Sequence, residues 1–316
     1  PQLAPPRVTL RDRKRSVLSQ ADRRVWARDR PHPGEGHRPR PRSGDEVPPC
    51  IPSTDMSNEN RVTTVRRVGE RVVIADRFNG PPTSGQGGYS CGVAGRLVGG
   101  HTAEVKLRRP TPLETPLDVV RIEDAVRLLD GDEVLVEARP ALDAIDLPAP
   151  VSLAVATQAA LRASEIVDHP FPSCFGCGPD RPLADGLALF PGFVDERRTH
   201  VACPLVFDRS LCDATGVVNP EVVWAALDCP SGWAFHGGDM GQVFKEELGT
   251  YVTGTIAASI PEQLRVDQTY VIMGWPIGRD GRKLYSGSAI FTEDGVPLAW
   301  CRQTWIILRA PVPRST

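Results

Sequence analysis

The run Asn219-Pro220-Glu221-Val222-Val223-Trp224-Ala225-Ala226-Leu227-Asp228-Cys229-Pro230-Ser231-Gly232-Trp233-Ala234-Phe235-His236 decides how the rest of the chain is read. Asn219 is a favoured N-cap, and Pro220 suits the first helical position, where its missing N–H would have been unpaired anyway. Val222, Val223, Ala226 and Leu227 recur at helical spacing with Trp224 beside them, which predicts a helix enclosed nearly all round. One carboxylate, Asp228, sits in its middle. Removing a carboxylate from water without a partner costs several kcal/mol or raises its pKa, and such a group can serve as a general base. The competing reading is architectural: Pro230 interrupts the helix, and Asp228 caps a second segment running from Cys229 to His236.

Working outward, Gly85-Gln86-Gly87-Gly88-Tyr89-Ser90-Cys91-Gly92-Val93-Ala94-Gly95-Arg96-Leu97-Val98 is the other helix-like run. Each glycine costs a helix about 1 kcal/mol relative to alanine, so close approach of another backbone is the expected compensation. A phosphate-cradling loop is disfavoured, because no strand with a GxGxxG or GxxxxGK pattern precedes it. Around this run the pattern is extended. Val62, Val65, Val68 and Val72-Val73-Ile74 come first, then strands at 102–108, 117–123, 125–129 and 133–139, the last pair joined by Asp130-Gly131-Asp132. The second half repeats that order: a strand at 199–207, the opening helix, and strands at 250–259, 268–275, 283–291 and 297–308 with a Glu293-Asp294-Gly295 turn. Strands joined by tight turns with no helix between them form antiparallel sheets. The expected fold class is therefore α+β, with an N-terminal domain at 56–140, a linker at 141–197 holding a short helix near 151–167, and a C-terminal domain at 198–312.

The chain has 316 residues, 41% apolar and 24% charged, which is globular composition. No apolar run reaches the ~20 residues of a membrane span, and the Arg-rich start lacks the apolar segment of an export signal, so no membrane insertion and a cytoplasmic location are expected. Residues 1–55 carry 12 Lys+Arg against 7 Asp+Glu and ten prolines, with almost no periodic apolar pattern; a disordered, dispensable tail is expected. Acidic residues interrupt its Arg run and only Trp26 is aromatic, so no nucleic-acid partner is expected. Eight cysteines in a chain of this size without an export signal read as free thiols. Cys174 and Cys177 are half of a zinc pattern that Cys203 and Cys212 would have to complete. Their eight-residue spacing, in strand and loop, favours instead a turn with buried thiols and no metal.

At this point the chain resembles the hotdog superfamily, in which a long antiparallel sheet curls round a central helix and such units pair. Gln86-Gly87-Gly88 with the following Tyr89 to Leu97 looks like the His-Gly-Gly helix opening of phenylacetate-type hotdog thioesterases, and Ala226-Leu227-Asp228 looks like the Leu-Ala-Asp that carries their catalytic carboxylate. Phe171-Pro172-Ser173-Cys174-Phe175-Gly176-Cys177-Gly178-Pro179 resembles a segment preceding hotdog domains in bacterial proteins of unassigned role. The resemblance spans roughly residues 60–310 and implies two tandem hotdog domains forming a pseudo-dimer. Each copy departs from the pattern: Gly95 stands where the first copy's carboxylate should be, and Pro220 where the second copy's glycine should be.

Eight helical residues rise about 12 Å, so a glycine start and an acid on one helix cannot grip the same carbonyl. Two antiparallel helices can bring one start beside the other's middle. The expectation is one composite site, Gly87 and Gly88 facing Asp228, while Asn219 and Pro220 facing Gly95 form a dead counterpart. The resemblance implies hydrolysis of acyl-CoA or another acyl thioester without a cofactor. Asp228 would be the general base and the Gly87 and Gly88 amides, introduced by Gln86, would be oxyanion donors. By position, Thr253 and Gln303 match a threonine and a glutamine used by double-hotdog acyl-CoA thioesterases. Glu221 reads as a charge suited to the helix dipole. A Cys229–His236 pair would lie about 10 Å apart on one helix, and no GxSxG elbow occurs. A non-catalytic acyl-CoA-binding protein of the same fold is the alternative. Further association of pseudo-dimers into a homo-oligomer is left open.

Overall fold

The computed structural model describes residues 65–67, 71–141, 145–163, 169–182, 185–235 and 249–309. The basic tail and His236, and with it the far end of the supposed second segment, lie outside the described residues.

The first half contains strands β1 (Val65–Arg67) and β2 (Arg71–Ile74), helix α1 (Gly87–Val98), and strands β3 (Thr102–Leu107), β4 (Leu117–Ile122), β5 (Ala125–Asp130) and β6 (Glu133–Pro140). A connector follows with helix α2 (Leu153–Arg162), shorter at both ends than the 151–167 expected; Ser152 caps its start through a bond from the Val155 N–H, and Ala163 caps its end. The second half holds β7 (Gly192–Phe193), β8 (Val201–Val206), helix α3 (Pro220–Trp233), β9 (Tyr251–Ser259), β10 (Thr269–Asp280), β11 (Lys283–Thr292) and β12 (Pro297–Ile307). Two glycine turns work as the sequence suggests: Gly131 and Gly295 take φ of 56° and 84°, the left-handed region that glycine enters without strain.

All these strands form one antiparallel sheet in the order β1-β2-β4-β5-β6-β3-β9-β12-β11-β10-β8-β7. The strands before the connector occupy one side of this list and those after it the other. They meet at β3 and β9, where Val105 pairs with Ile256. α1 and α3 lie side by side under the sheet, and most of the core residues belong to one continuous cluster around them.

Glycines explain how the two helices come so close. A Cβ on Gly88 would sit 2.5 Å from the Trp224 carbonyl oxygen, and one on Gly92 would sit 2.6 Å from Glu221 Cα. As α1 advances, its contacts on α3 recede, so the helices run in opposite senses. The glycine cost in α1 is offset by this packing, as its sequence anticipates.

α3 is one helix. Pro230 lies inside it, which overturns the reading of Asp228 as cap of a second segment. Packing overrides the local rule: β10 presses on this turn so tightly that a Cβ on Gly274 would lie 2.1 Å from the Pro230 oxygen. The hydroxyl of Tyr251 donates to the carbonyl of Gly232 at 2.9 Å and secures the last turn. At the other end Asn219 has the extended backbone of an N-cap but makes no side-chain cap bond. Among the described residues no helix is long and apolar enough to cross a membrane.

Candidate active site

α3 carries Asp228 into the interior, where it is 3% exposed. The start of α1 and two strands supply its partners. Gln86 Nε2 donates to Oδ2 at 2.6 Å and the Gly88 N–H to the same oxygen at 2.9 Å. Thr253 Oγ1, on β9, donates to Oδ1 at 2.8 Å, and Gln303 Nε2, on β12, donates to that oxygen too. Burial nevertheless wins: loss of hydration pushes the Asp228 pKa up to about 6, against the lowering effect of the bonds from Gln303, Gly88 and Thr253.

Each partner is itself held. Gln86 is the N-cap of α1, its Oε1 accepting the Tyr89 N–H at 2.6 Å, and this fixes its Nε2 toward the acid. Gln303 Oε1 accepts from Ser231 Oγ at 2.5 Å, and that oxygen takes the Trp305 indole N–H at 3.0 Å. A relay of side chains thereby sets which end of the Gln303 amide meets Asp228. Gly87 and Gly88 are glycine for want of room. A Cβ on Gly87 would lie 2.3 Å from Thr253 Oγ1, and one on Gly88 would lie 2.5 Å from Asp228 Cβ.

The six sequence-predicted residues Gln86, Gly87, Gly88, Asp228, Thr253 and Gln303 therefore converge on one spot across the α1–α3 seam. One detail differs. Gly88, expected to aim its N–H at a substrate oxygen, gives it to Asp228 instead, since a buried carboxylate competes strongly for any donor in reach. Glu221 stands in the first turn of α3, where its charge suits the helix dipole; it is 2% exposed, and its Oε1 lies 3.8 Å from Arg96 Nη1 of α1. The counterpart position is occupied by Trp224, whose indole meets Gly95: a Cβ there would be 2.8 Å from Cζ2.

Beside Asp228 opens a cavity of ≈ 320 Å³. Gln86, Gly87, Asp228 and Thr253 line its polar end, aromatic rings including Phe171, Trp233, Tyr251 and Trp305 its walls, and Arg108 and Arg109 belong to its lining as well. A mostly apolar pocket with a few convergent polar groups is the usual form of a small-molecule site.

No family model and no curated protein matches the chain. Solved structures do. A Thermobifida fusca protein provisionally described as thioesterase II is 15% identical over 79% of this chain and 98% of its own, with a TM-score of 0.50. A provisionally described thioesterase from Novosphingobium aromaticivorans is 10% identical over 78% and 98%, also at 0.50. A conserved protein of unknown function with hot dog fold from Alicyclobacillus acidocaldarius is 13% identical over 80% and 98%, at 0.47. The chain shares the fold of the Thermobifida fusca and Novosphingobium aromaticivorans structures.

Within that fold, sequence reasoning missed the residues that hold the site's partners, Ser231 and Trp305. A signal existed: Ser231 lies three residues after Asp228 on the same helical face. The cysteines also fall out differently. None of the seven cysteines among the described residues forms a disulfide. Cys203 and Cys212 lie in the main core, away from the Cys174–Cys177 turn. Their place beside that turn is taken by Cys229, the residue after Asp228, and the three sulfurs lie within 4.8 Å of one another.

Proposed function

We propose that this protein hydrolyses acyl-CoA-type thioesters at a single composite site between two tandem hotdog units, near residues 56–140 and 198–312, that act as a pseudo-dimer. The observation that carries the reading is the buried Asp228 facing the start of α1 across the helix seam, at the polar end of an apolar cavity. Neighbours described as thioesterases share the fold, which supports this chemistry.

In this reading Asp228, ionised above pH about 6, takes a proton from a water that displaces the direct bonds from Thr253 and Gln303. Those two groups then orient the water. Its oxygen adds to the thioester carbonyl carbon, and the charge gathering on the carbonyl oxygen is met by the Gly87 N–H and the positive end of α1, an effect typically worth about 3 kcal/mol per donor. The C–S bond breaks, and Asp228 returns its proton to the departing thiolate. Arg108 and Arg109, at the cavity lining, offer cations to the phosphates of a CoA carrier.

A second reading, a non-catalytic acyl-CoA-binding protein, is favoured by one observation: Asp228 accepts four donors, as many as a carboxylate has lone-pair sites. Chromatographic measurement of liberated CoA across a panel of acyl-CoAs decides between them. Turnover abolished by Asp228→Asn supports hydrolysis, whereas saturable binding with no product above the uncatalysed rate supports the binding protein.

A further inference from the structure

The three-cysteine cluster is unused by the chemistry above, and its construction is specific. Cys174 and Cys177 come from the turn between α2 and β7, and Cys229 from α3. Gly176, between the paired cysteines, is required by the third: a Cβ there would lie 2.4 Å from Cys229 Sγ. Gly178 is equally constrained, because its Cβ would strike the Cys174 N and O and the Pro172 oxygen at 2.4 to 2.6 Å. The turn is thus folded tightly round a point that the helix sulfur also reaches. The loop carrying it is pinned independently, by Arg181 on Asn79 Oδ1 at 2.7 Å and by the Phe175 N–H on the Asn79 carbonyl at 2.8 Å.

The sulfurs are not spaced for a disulfide. Cys174 and Cys177 Sγ are 3.9 Å apart, against an S–S bond of about 2.05 Å. Thiolates at about 2.3 Å round a tetrahedral zinc ion would lie ~3.8 Å apart. Donors also converge on the sulfurs. His169 Nε2 lies 3.4 Å from Cys177 Sγ and Gln86 Nε2 lies 3.7 Å from Cys229 Sγ, while the Cys177 backbone N–H and the Trp233 side chain bond Cys174 and Cys177 respectively. These donors would support thiolates bound to a metal ion, as outer-shell partners of metal ligands usually do.

We propose that Cys174, Cys177 and Cys229 bind a soft divalent metal ion of the zinc class, with the fourth position completed from the cavity that all three cysteines line. His169 stands outside the ligand set as a positioning residue. Its Nδ1 accepts the Phe171 N–H at 2.9 Å, which leaves Nε2 as the N–H that supports the Cys177 thiolate. The ion would bolt the 169–178 turn to α3 at the residue adjoining Asp228, making one wall of the cavity rigid. This site stands whether or not the cavity hydrolyses thioesters.

The test is metal analysis of the full chain, expressed with added zinc and purified under reducing conditions. One zinc per chain is expected, falling to near zero in Cys174→Ser and Cys229→Ser and unchanged in Cys203→Ser and Cys212→Ser. Gly176→Ala keeps every sulfur yet drives a methyl into Cys229, and should also lose the metal. His169→Phe should weaken zinc binding by about 10–100-fold without abolishing it. Because serine variants can unfold, the wild-type chain is also loaded with cobalt, whose thiolate charge-transfer bands should report three sulfur ligands. A metal-free wild-type chain after zinc reconstitution, a Cys174–Cys177 disulfide in the reduced preparation, or full metal retention in Cys229→Ser would each overturn the proposal.

Discussion

α1 and α3 cross twice with opposite results. At the first crossing Gly88 meets Asp228, and Gln86, Thr253 and Gln303 gather there around a polar centre beside a cavity. At the second, Gly92 and Gly95 meet Glu221 and Trp224; a cavity of ≈ 260 Å³ lies there too, but the residue against Gly95 is an indole rather than an acid. Both crossings need glycine, because both bring helix backbones together. Close packing is therefore a property of the seam, and chemistry is a property of what one end of it adds.

The largest effect that can test this contrast is on turnover. Asp228→Asn should lower kcat for thioester hydrolysis about 10³-fold with folding intact, as expected when a general base is removed. Glu221→Gln, at the other crossing, should leave kcat within about twofold; a comparable loss there would erase the distinction. CoA release and circular dichroism on both variants decide.

Next in size is a pH effect on stability. Asp228 has a folded pKa of about 6, above the ordinary carboxylate value, so the folded chain binds more protons than the unfolded one between those two values. Stability from this group is thus greatest at low pH and declines as pH rises to about 6. Two pKa units are about 3 kcal/mol, so the stability of Asp228→Asn relative to wild type should rise by about that amount between pH about 3 and about 7. Urea unfolding across that range measures it, and a flat difference would mean that Asp228 ionises normally. The rate of hydrolysis should climb through the same pH and level off above it.

Smaller still are the glycine substitutions. Gly88→Ala and Gly95→Ala should each cost about 1–3 kcal/mol by overpacking the seam. Only the first should also depress kcat, because its methyl displaces Asp228 Cβ whereas that on Gly95 meets Trp224. Equal kinetic loss in both would show that the crossings are coupled. The smallest effect is expected of Arg109→Glu. Arg109 is exposed and paired with Glu133, so its loss should raise KM for acyl-CoA a few-fold and leave a pantetheine thioester unaffected.

How much of this the sequence discloses follows from range. The helices, the hairpin glycines and the strand order depend on neighbours a few residues apart, and periodicity and turn chemistry report them. The meeting of Gly88 with Asp228 spans 140 residues, and only the resemblance to hotdog helices suggests it. Three features stay hidden. The break expected at Pro230 is absent because β10 packs against that turn. The N–H of Gly88 is turned to the acid, and Cys229 rather than Cys203 or Cys212 joins the cysteine turn. Each is decided by which surfaces touch after folding, which no local pattern encodes.

The junction of β3 with β9 makes the sheet continuous within one chain. In a two-fold homodimer every substitution appears twice, once on each side of the axis, so neither copy of a pocket can change alone. A single continuous chain is free of that restriction. A tryptophan can stand at one helix crossing without blocking the other, and a cysteine can stand beside a single acid, so asymmetry here is permitted by connectivity.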